Sequence, residues 1–235
     1  MLDLTPRLAV IGESIDECDV VADIGSDHAY LPIYLINNNK AKKAIATDIN
    51  KGPAEISMKR VKKYGLEQHI EIRIGDGLSA LKDKEADIIV IAGMGGILIQ
   101  NILSEGIDIA RSAGELILQP MRDSRILIKW LIQNSFEIFN GEIVKENDKF
   151  YEIIWTRYKQ NCYDEKSIDM INEMFYYKNS PALLEYIDKK ISEYSGIIDH
   201  LENFTHKNQK RIEECSKELI HYKEAKKWLS LNVEQ

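Results

Sequence analysis

Apolar positions along the chain follow three rhythms in turn, and the points where the rhythm changes outline the architecture. Leu4 to Glu17 has helical spacing, with Thr5 as N-cap and Pro6 in the first turn. Asp19 to Ile24 reads as a strand that runs into Gly25-Ser26-Asp27, and a helix over His28–Asn37 closes at Asn37-Asn38-Asn39. A short second strand, Ala44–Thr47, ends in Asp48; a helix over Lys51–Tyr64 then stops at Gly65. Ile70–Ile74 alternates as a third strand and leads into Gly75-Asp76-Gly77-Leu78. The fourth strand, Ala86–Ile91, is apolar throughout, as a strand covered on both faces should be. It runs into Ala92-Gly93-Met94-Gly95-Gly96 and a helix to Leu103; a fifth strand, Gly114–Leu118, and a helix over Ser124–Asn134 follow.

This alternation implies a parallel sheet with helical crossovers. The rhythm changes at Phe136–Val144 and Phe150–Tyr158, two strand patterns separated only by the polar turn Lys145–Lys149. No crossover helix fits between them, so they must pair antiparallel. Beyond Tyr163 strand patterns vanish. A helix is expected over Ser167–Tyr177, and Asn179-Ser180-Pro181 caps and starts another. Leu184, Ile187, Ile191, Tyr194, Ile198 and Leu201 recur at steps of three and four, as do Ile212, Cys215, Leu219, Tyr222 and Leu229, with Lys226 in one slot. Polar Thr205 and Asn208 break the series, so two helices folded into an antiparallel coiled-coil hairpin are expected; a single rod is the alternative. The chain therefore reads as an α/β domain over 1–162 and an all-α domain over 163–235.

Composition narrows the setting. With 44% apolar and 29% charged residues in 235, the chain is of globular type. A net charge of −7 argues against a generally basic nucleic-acid binder and leaves room only for local cationic patches. Cys18, Cys162 and Cys215 are odd in number and without metal-ligand spacing, which points away from disulfides and metal sites and toward a reducing cytoplasm. The longest apolar run, Ile88–Ile99, is too short to span a bilayer and holds three glycines.

The first βα turn carries the informative chemistry. It has one glycine where a dinucleotide loop has three, and Asp27 stands where a pyrophosphate would lie. An anion there opposes a diphosphate and favours a cation, so the loop asks for a positively charged cofactor without phosphates. S-adenosylmethionine, with its sulfonium and ammonium groups, answers that description. The antiparallel hairpin is a second reason, since it separates methyltransferase sheets from dehydrogenase ones. Asp48, 25 residues after Asp23, is placed either to accept the ribose hydroxyls or to cap the next helix. Asp76, between glycines, suits an adenine amino group, although Gly-Asp-Gly is also ordinary turn chemistry. Gly93-Met94-Gly95-Gly96 follows the fourth strand, where the acceptor pocket of such enzymes opens, and its glycines suit close approach of a planar ligand and helix–sheet packing equally. An Asn/Asp-Pro-Pro-aromatic segment, typical of exocyclic amine methylation, is not found there. Lys40, Lys42, Lys43, Lys51, Lys59, Arg60, Lys62 and Lys63 form one cationic cluster, and Arg122, Arg125 and Lys129 a second. Each could track phosphates or be a solvated helix face.

Taken together, Asp23-Ile24-Gly25-Ser26-Asp27-His28-Ala29-Tyr30-Leu31-Pro32, Gly75-Asp76-Gly77-Leu78, Ala92-Gly93-Met94-Gly95-Gly96 and Leu118-Gln119-Pro120 resemble the bacterial tRNA (adenine-22-N1)-methyltransferase family, TrmK. The resemblance covers the α/β part and, more loosely, the helical hairpin. It implies a Rossmann-like class I methyltransferase domain followed by a coiled-coil domain, and methyl transfer to N1 of adenine 22 in the tRNA D-arm. Carried over, the cofactor would be held by Arg7, Asp23, Gly25, Ser26, His28, Asp48, Ile49, Asp76, Gly77, Ala92, Gly93, Met94 and Gly95. Asp27 would stabilise charge on the methylated base, and Tyr30 would stack on it. The tRNA would lie on the basic clusters, notably Lys59, Arg60, Lys62, Lys63, Arg122 and Arg125, and on the hairpin, with neither a metal, a membrane nor an obligatory protein partner. A methyltransferase of another RNA or of a small molecule, and a cofactor-sensing scaffold, are the other readings.

Overall fold

The computed structural model describes residues 3–163, 172–204 and 209–232, and the chain falls into two units, Met1–Asp169 and Met170–Gln235. The first unit runs α1 (Pro6–Ser14), β1 (Cys18–Ile24), α2 (Tyr30–Asn37), β2 (Ala41–Asp48), α3 (Lys51–Tyr64), β3 (Ile70–Ile74), β4 (Ile88–Met94), α4 (Gly96–Glu105), α5 (Ile107–Ser112), β5 (Glu115–Pro120), α6 (Ser124–Gln133), β6 (Phe136–Glu146) and β7 (Lys149–Tyr158). Its strands form one seven-stranded sheet in the order β3-β2-β1-β4-β5-β7-β6. β1 to β5 are parallel, and β7 runs antiparallel between β5 and β6. This is the Rossmann-like sheet with an antiparallel end that the residue pattern implies.

Val21 to Ile24 of β1 are buried on both faces, which is what a central parallel strand requires. From β1 the chain winds outward through β2 to β3, then returns to place β4 on the other side of β1. The reversal opens a crevice beyond the carboxyl ends of β1 and β4, the position where ligands bind in open α/β sheets.

Several element boundaries differ from the sequence reading, each for a local reason. α1 stops at Ser14 rather than Glu17, because the Lys40 ammonium donates to the carbonyls of Glu13 (2.8 Å) and Ile15 (2.7 Å) and caps its end. Lys40 thereby leaves the cationic cluster. α2 starts at Tyr30, after a 3-10 turn over Asp27–Ala29. β4 extends through Met94, and α5 is a short helix that apolar spacing alone did not separate from α4. The β6–β7 hairpin turns tightly over Asn147-Asp148, with Asn147 at φ 55°, a conformation that asparagine tolerates well.

In the second unit, α7 (Leu183–Phe204) and α8 (Gln209–Asn232) run antiparallel. The Tyr222 ring meets both Tyr186 (6.1 Å) and Tyr194 (5.9 Å), and Lys226 pairs with Asp188 at 2.6 Å, which excludes a single rod. The seam is offset from the expected one: Leu183 is buried and Leu184 is 52% exposed, while Ala225 fills the slot assigned to Lys226. Thr205 and Asn208, and the first five residues of the helix expected over Ser167–Tyr177, lie outside the described residues. Glu173–Tyr177 is a 3-10 turn instead, its N-cap Asn172 accepting from the Met174 amide at 3.1 Å. No described helix is long and apolar enough to cross a membrane.

Phe136, fully buried at the start of β6, is stacked on Trp130 (5.9 Å) and meets the Tyr158 ring edgewise (5.9 Å). Phe136→Ala is expected to destabilise the first unit by about 3–5 kcal/mol. Urea unfolding followed by tryptophan fluorescence measures this, and a loss below about 1 kcal/mol would contradict the packing described.

Candidate active site at the carboxyl edge of the sheet

Strand order and the turns that follow bring four acids from three neighbouring strand ends to one edge. Asp23, in β1, is flanked by Ala46 of β2 and Val90 of β4. Asp48 ends β2, and Asp76 follows β3 in a turn tied back by the Gly75 amide donating to the Asp48 carbonyl (3.0 Å). Asp27 stands exposed in the turn after β1, its Oδ1 3.2 Å from His28 Nε2. Beside Asp48 and Asp76, the side chains of Ile49 and Ile74 are exposed, an apolar lip on an otherwise acidic rim.

Asp23 is the electrostatic centre. Only 7% exposed, it is pushed by burial from 3.8 up to about 6, with the neighbouring Ser26 hydroxyl partly offsetting the rise. On the neighbouring strand and in the turn after β1, Thr47 Oγ1 and His28 Nδ1 are buried without a protein hydrogen-bond partner. Buried polar groups are normally satisfied, so a carboxylate on β1 and two open polar atoms on β2 and the turn after β1 fit a polar, cationic ligand. Three further acids, Asp27, Asp48 and Asp76, make the same edge hostile to a diphosphate.

The loop that frames this edge is sharply bent. Gly25 has φ 70°, and a Cβ there would meet the Met94 methyl at 2.1 Å, so both backbone and packing demand glycine. His28 and Ala29 also have positive φ, 69° and 55°, without glycine's freedom. The Ser26 amide donates to the Thr47 carbonyl at 2.8 Å, which anchors the loop to β2.

Met94 reaches Gly25 because β4 bulges. The β4–β5 register passes from Ala92↔Gln119 to Met94↔Pro120 and skips Gly93, which has φ 79°. The bulge frees the Gly93 amide, and fully buried Gln119 recaptures it: Oε1 accepts from Gly93 at 3.1 Å, while Nε2 donates to the Pro120 carbonyl at 2.9 Å. The Met121 amide then donates to the Met94 carbonyl (2.7 Å), and the Gly96 amide to that of Arg122 (2.8 Å).

Comparison with known proteins places this arrangement. A methyltransferase-domain model matches residues 4–154. The tRNA (adenine(22)-N(1))-methyltransferase of Bacillus subtilis is 44% identical over 153 residues, which span 65% of this chain and 64% of that protein. The crystal structure of the B. subtilis m1A22 tRNA methyltransferase TrmK superposes with a TM-score of 0.79 at 32% identity, covering 96% of this chain and 100% of that one. The chain belongs to the TrmK family of methyltransferases. A putative tRNA (m1A22) methyltransferase of Streptococcus pneumoniae, solved in complex with S-adenosyl-L-methionine, has a TM-score of 0.80 at 28% identity over 95% of this chain and 100% of its own.

In this TrmK-family structure Asp23, Gly25, Ser26, Asp27, His28, Asp48, Ile49, Asp76, Gly77, Ala92, Gly93, Met94 and Gly95 all lie at the carboxyl ends of four neighbouring strands or in the turns that follow. Asp48 Oδ1 accepts from the Asn50 amide at 2.7 Å at the start of α3. Arg7 is held by the last hairpin: its Nη1 donates to both carboxylate oxygens of Glu146 at 3.0 Å, and its guanidinium covers the Tyr151 ring at 4.9 Å. The cation is thus paired with the turn end of the β6–β7 hairpin, which lies on the same side of the sheet as the carboxyl ends of β1 to β5, because β6 runs parallel to β5. Tyr30 is already covered by Arg60, whose guanidinium lies 3.9 Å from the ring centre. Three residues that sequence reasoning did not assign shape the site. These are Gln119, whose signal was an amide inside an apolar strand; Thr47, read only as a strand residue; and Ser57, buried on the face of α3 toward the loop.

Gly25→Ala should weaken cofactor binding by about tenfold or more, because a left-handed alanine costs roughly 1–2 kcal/mol before the overlap with Met94 is counted. Calorimetric titration with S-adenosylmethionine measures the change. Adding Met94→Ala should recover the overlap and leave the backbone part. Wild-type affinity in Gly25→Ala would show that the loop does not frame the cofactor.

Proposed function

We propose that the protein transfers a methyl group from S-adenosylmethionine to N1 of adenine 22 in the D-arm of tRNA. The observation that carries this reading is the acidic edge of the sheet. Asp23, Asp48 and Asp76 sit on adjacent strand ends beside open polar atoms, in a chain of the TrmK family. Asp48 and Asp76 suit the ribose and the adenine of the cofactor. Asp23, with Gly25 and Ser26, suits the cationic end. Met94 and the glycines beside it would border the methyl group.

Adenine N1 carries an in-plane lone pair and is unprotonated at neutral pH, so no base is needed before attack. A C–N bond forms as the C–S bond breaks, both electrons stay on sulfur, and the positive charge passes to the adenine ring. Exposed Asp27 is the carboxylate placed to stabilise that charge, and holding N1 in line with the methyl group does the rest. N1 lies on the Watson–Crick edge, so the base must leave its pair, and Tyr30 offers the nearest aromatic face. Lys59, Lys62 and Lys63 on α3 are exposed, as is Arg122 at the acceptor side, and these cations suit the tRNA backbone. Arg60 and Lys40 are committed inward and drop out of that set.

Methylation of a transcribed tRNA, with the modified nucleoside mapped, tests the reaction. Replacing adenine 22 by guanine should abolish incorporation, and unchanged incorporation would overturn the assignment. Asp27→Ala is expected to lower the rate of methyl transfer by about 10²-fold or more at little change in cofactor affinity. A wild-type rate would remove Asp27 from the mechanism.

Asp23 gives the site a pH dependence with a definite sign. Its pKa is raised in the fold, so its contribution to stability is fully present below about 3.8 and is lost as pH rises through about 6. A cationic cofactor favours the ionised form. Binding near pH 6 should therefore release a proton, and affinity should fall as pH drops below about 6. Calorimetry in two buffers of different ionisation enthalpy reads the proton directly; equal heats in both would contradict this role of Asp23.

A further inference from the structure

Arg60 stands on α3 among lysines that face solvent, but its guanidinium turns the other way. Nη1 donates to the His28 carbonyl at 2.8 Å, and the guanidinium carbon lies 3.9 Å from the centre of the Tyr30 ring. Both contacts fall on the segment where two consecutive residues carrying a Cβ, His28 and Ala29, hold positive φ. That conformation persists only where surrounding structure enforces it. On the same face of α3, one turn earlier, the buried Ser57 hydroxyl lies 3.5 Å from the Ser26 carbonyl oxygen. One helix face therefore grips the turn at two carbonyls and one ring.

We propose that Arg60 is a positioning residue of the methyl-transfer site. It holds the His28–Ala29 reversal, and through it sets where Asp27 and Tyr30 stand; it is not a phosphate contact. The role in catalysis rests on the reading that Asp27 and Tyr30 face the acceptor base. The chemistry calls for arginine specifically. A planar guanidinium stacks on a ring with its face while donating from its edge, whereas the ammonium of lysine is a point charge that cannot satisfy both at once. Arg60 also differs from the rest of its cluster in what tRNA would gain from it. Its charge is spent on a ring and a backbone carbonyl, while Lys59, Lys62 and Lys63 project outward.

The test compares Arg60→Lys and Arg60→Met with the double variant Lys62→Ala/Lys63→Ala in the full chain. Three quantities are measured: the single-turnover methylation rate at saturating tRNA and cofactor, the tRNA Kd as a function of salt, and hydrogen exchange of the peptide spanning residues 25–35. For both Arg60 variants we expect the rate to fall by about ten- to a hundredfold. Their salt slope should stay at the wild-type value, and exchange at 27–30 should become faster. The lysine pair should instead flatten the salt slope and leave exchange at 27–30 unchanged. A salt slope reduced by about one in the Arg60 variants, with a wild-type rate, would make Arg60 a phosphate ligand and overturn the proposal. Full rescue by Arg60→Lys would overturn it too, since charge alone would then suffice. If Arg60→Met does not fold, Arg60→Lys decides by the same readouts. Hydrogen exchange does not depend on the reaction. Unchanged exchange in Arg60→Lys overturns the structural role, whereas faster exchange in a protein that fails to methylate tRNA upholds it and faults the reading of the substrate.

Discussion

A carboxylate kept out of water at the end of a parallel strand is held there against its own desolvation, and the α/β unit is arranged around that fact. Asp23 sits between β2 and β4, with its pKa displaced upward by burial. The winding order makes β1 the strand from which the chain departs in both directions. Its end is therefore where the sheet opens, and neighbouring strand ends contribute Asp48 and Met94 without further instruction. The bent loop, the β4 bulge and the inner face of α3 each close one side of the space around that acid.

The same edge sorts charge by sign. Acidic groups gather at the strand ends, while lysines on α3 and Arg122 after β5 are exposed. Such a division suits an enzyme whose two substrates differ in charge, one a small cation and the other a polyanion. A net charge of −7 is compatible with such a division, since the sum over all residues says little about where each sign is displayed.

Much of this was legible in the residue pattern. Strand alternation, the short polar turn near Lys145–Lys149 and the lone glycine after Asp23 are local signals, and local signals predicted the mixed sheet and the acidic edge. The antiparallel hairpin of α7 and α8 was also readable, but its seam was one residue off at Leu184 and Lys226, because steps of three and four leave the exact face ambiguous. What sequence could not give were partners chosen across long separations. Arg60 and Lys40 look like members of a basic cluster until backbone carbonyls are placed beside them. Arg7 gives no sign in the sequence of its partner Glu146, which β6 brings to it. Gln119 had no assigned task because the amide it satisfies exists only once β4 has bulged.

That contact of Arg7 has a consequence for how the domain comes into being. Glu146 lies 139 residues further along the chain, and Ser14, at the end of the same helix, accepts from the Trp155 indole 141 residues away. The first helix is thus docked by the last hairpin, and β7 is slotted between β5 and β6 rather than added at the rim. A nascent chain emerging from the ribosome has neither partner for α1 until nearly all of this unit has been made. Closure of the sheet is therefore a late, long-range step of high contact order, and the strand edge of β5 stays unpaired until β7 arrives. For this unit, translation speed over β6 and β7 sets how long that edge is open to the wrong neighbour.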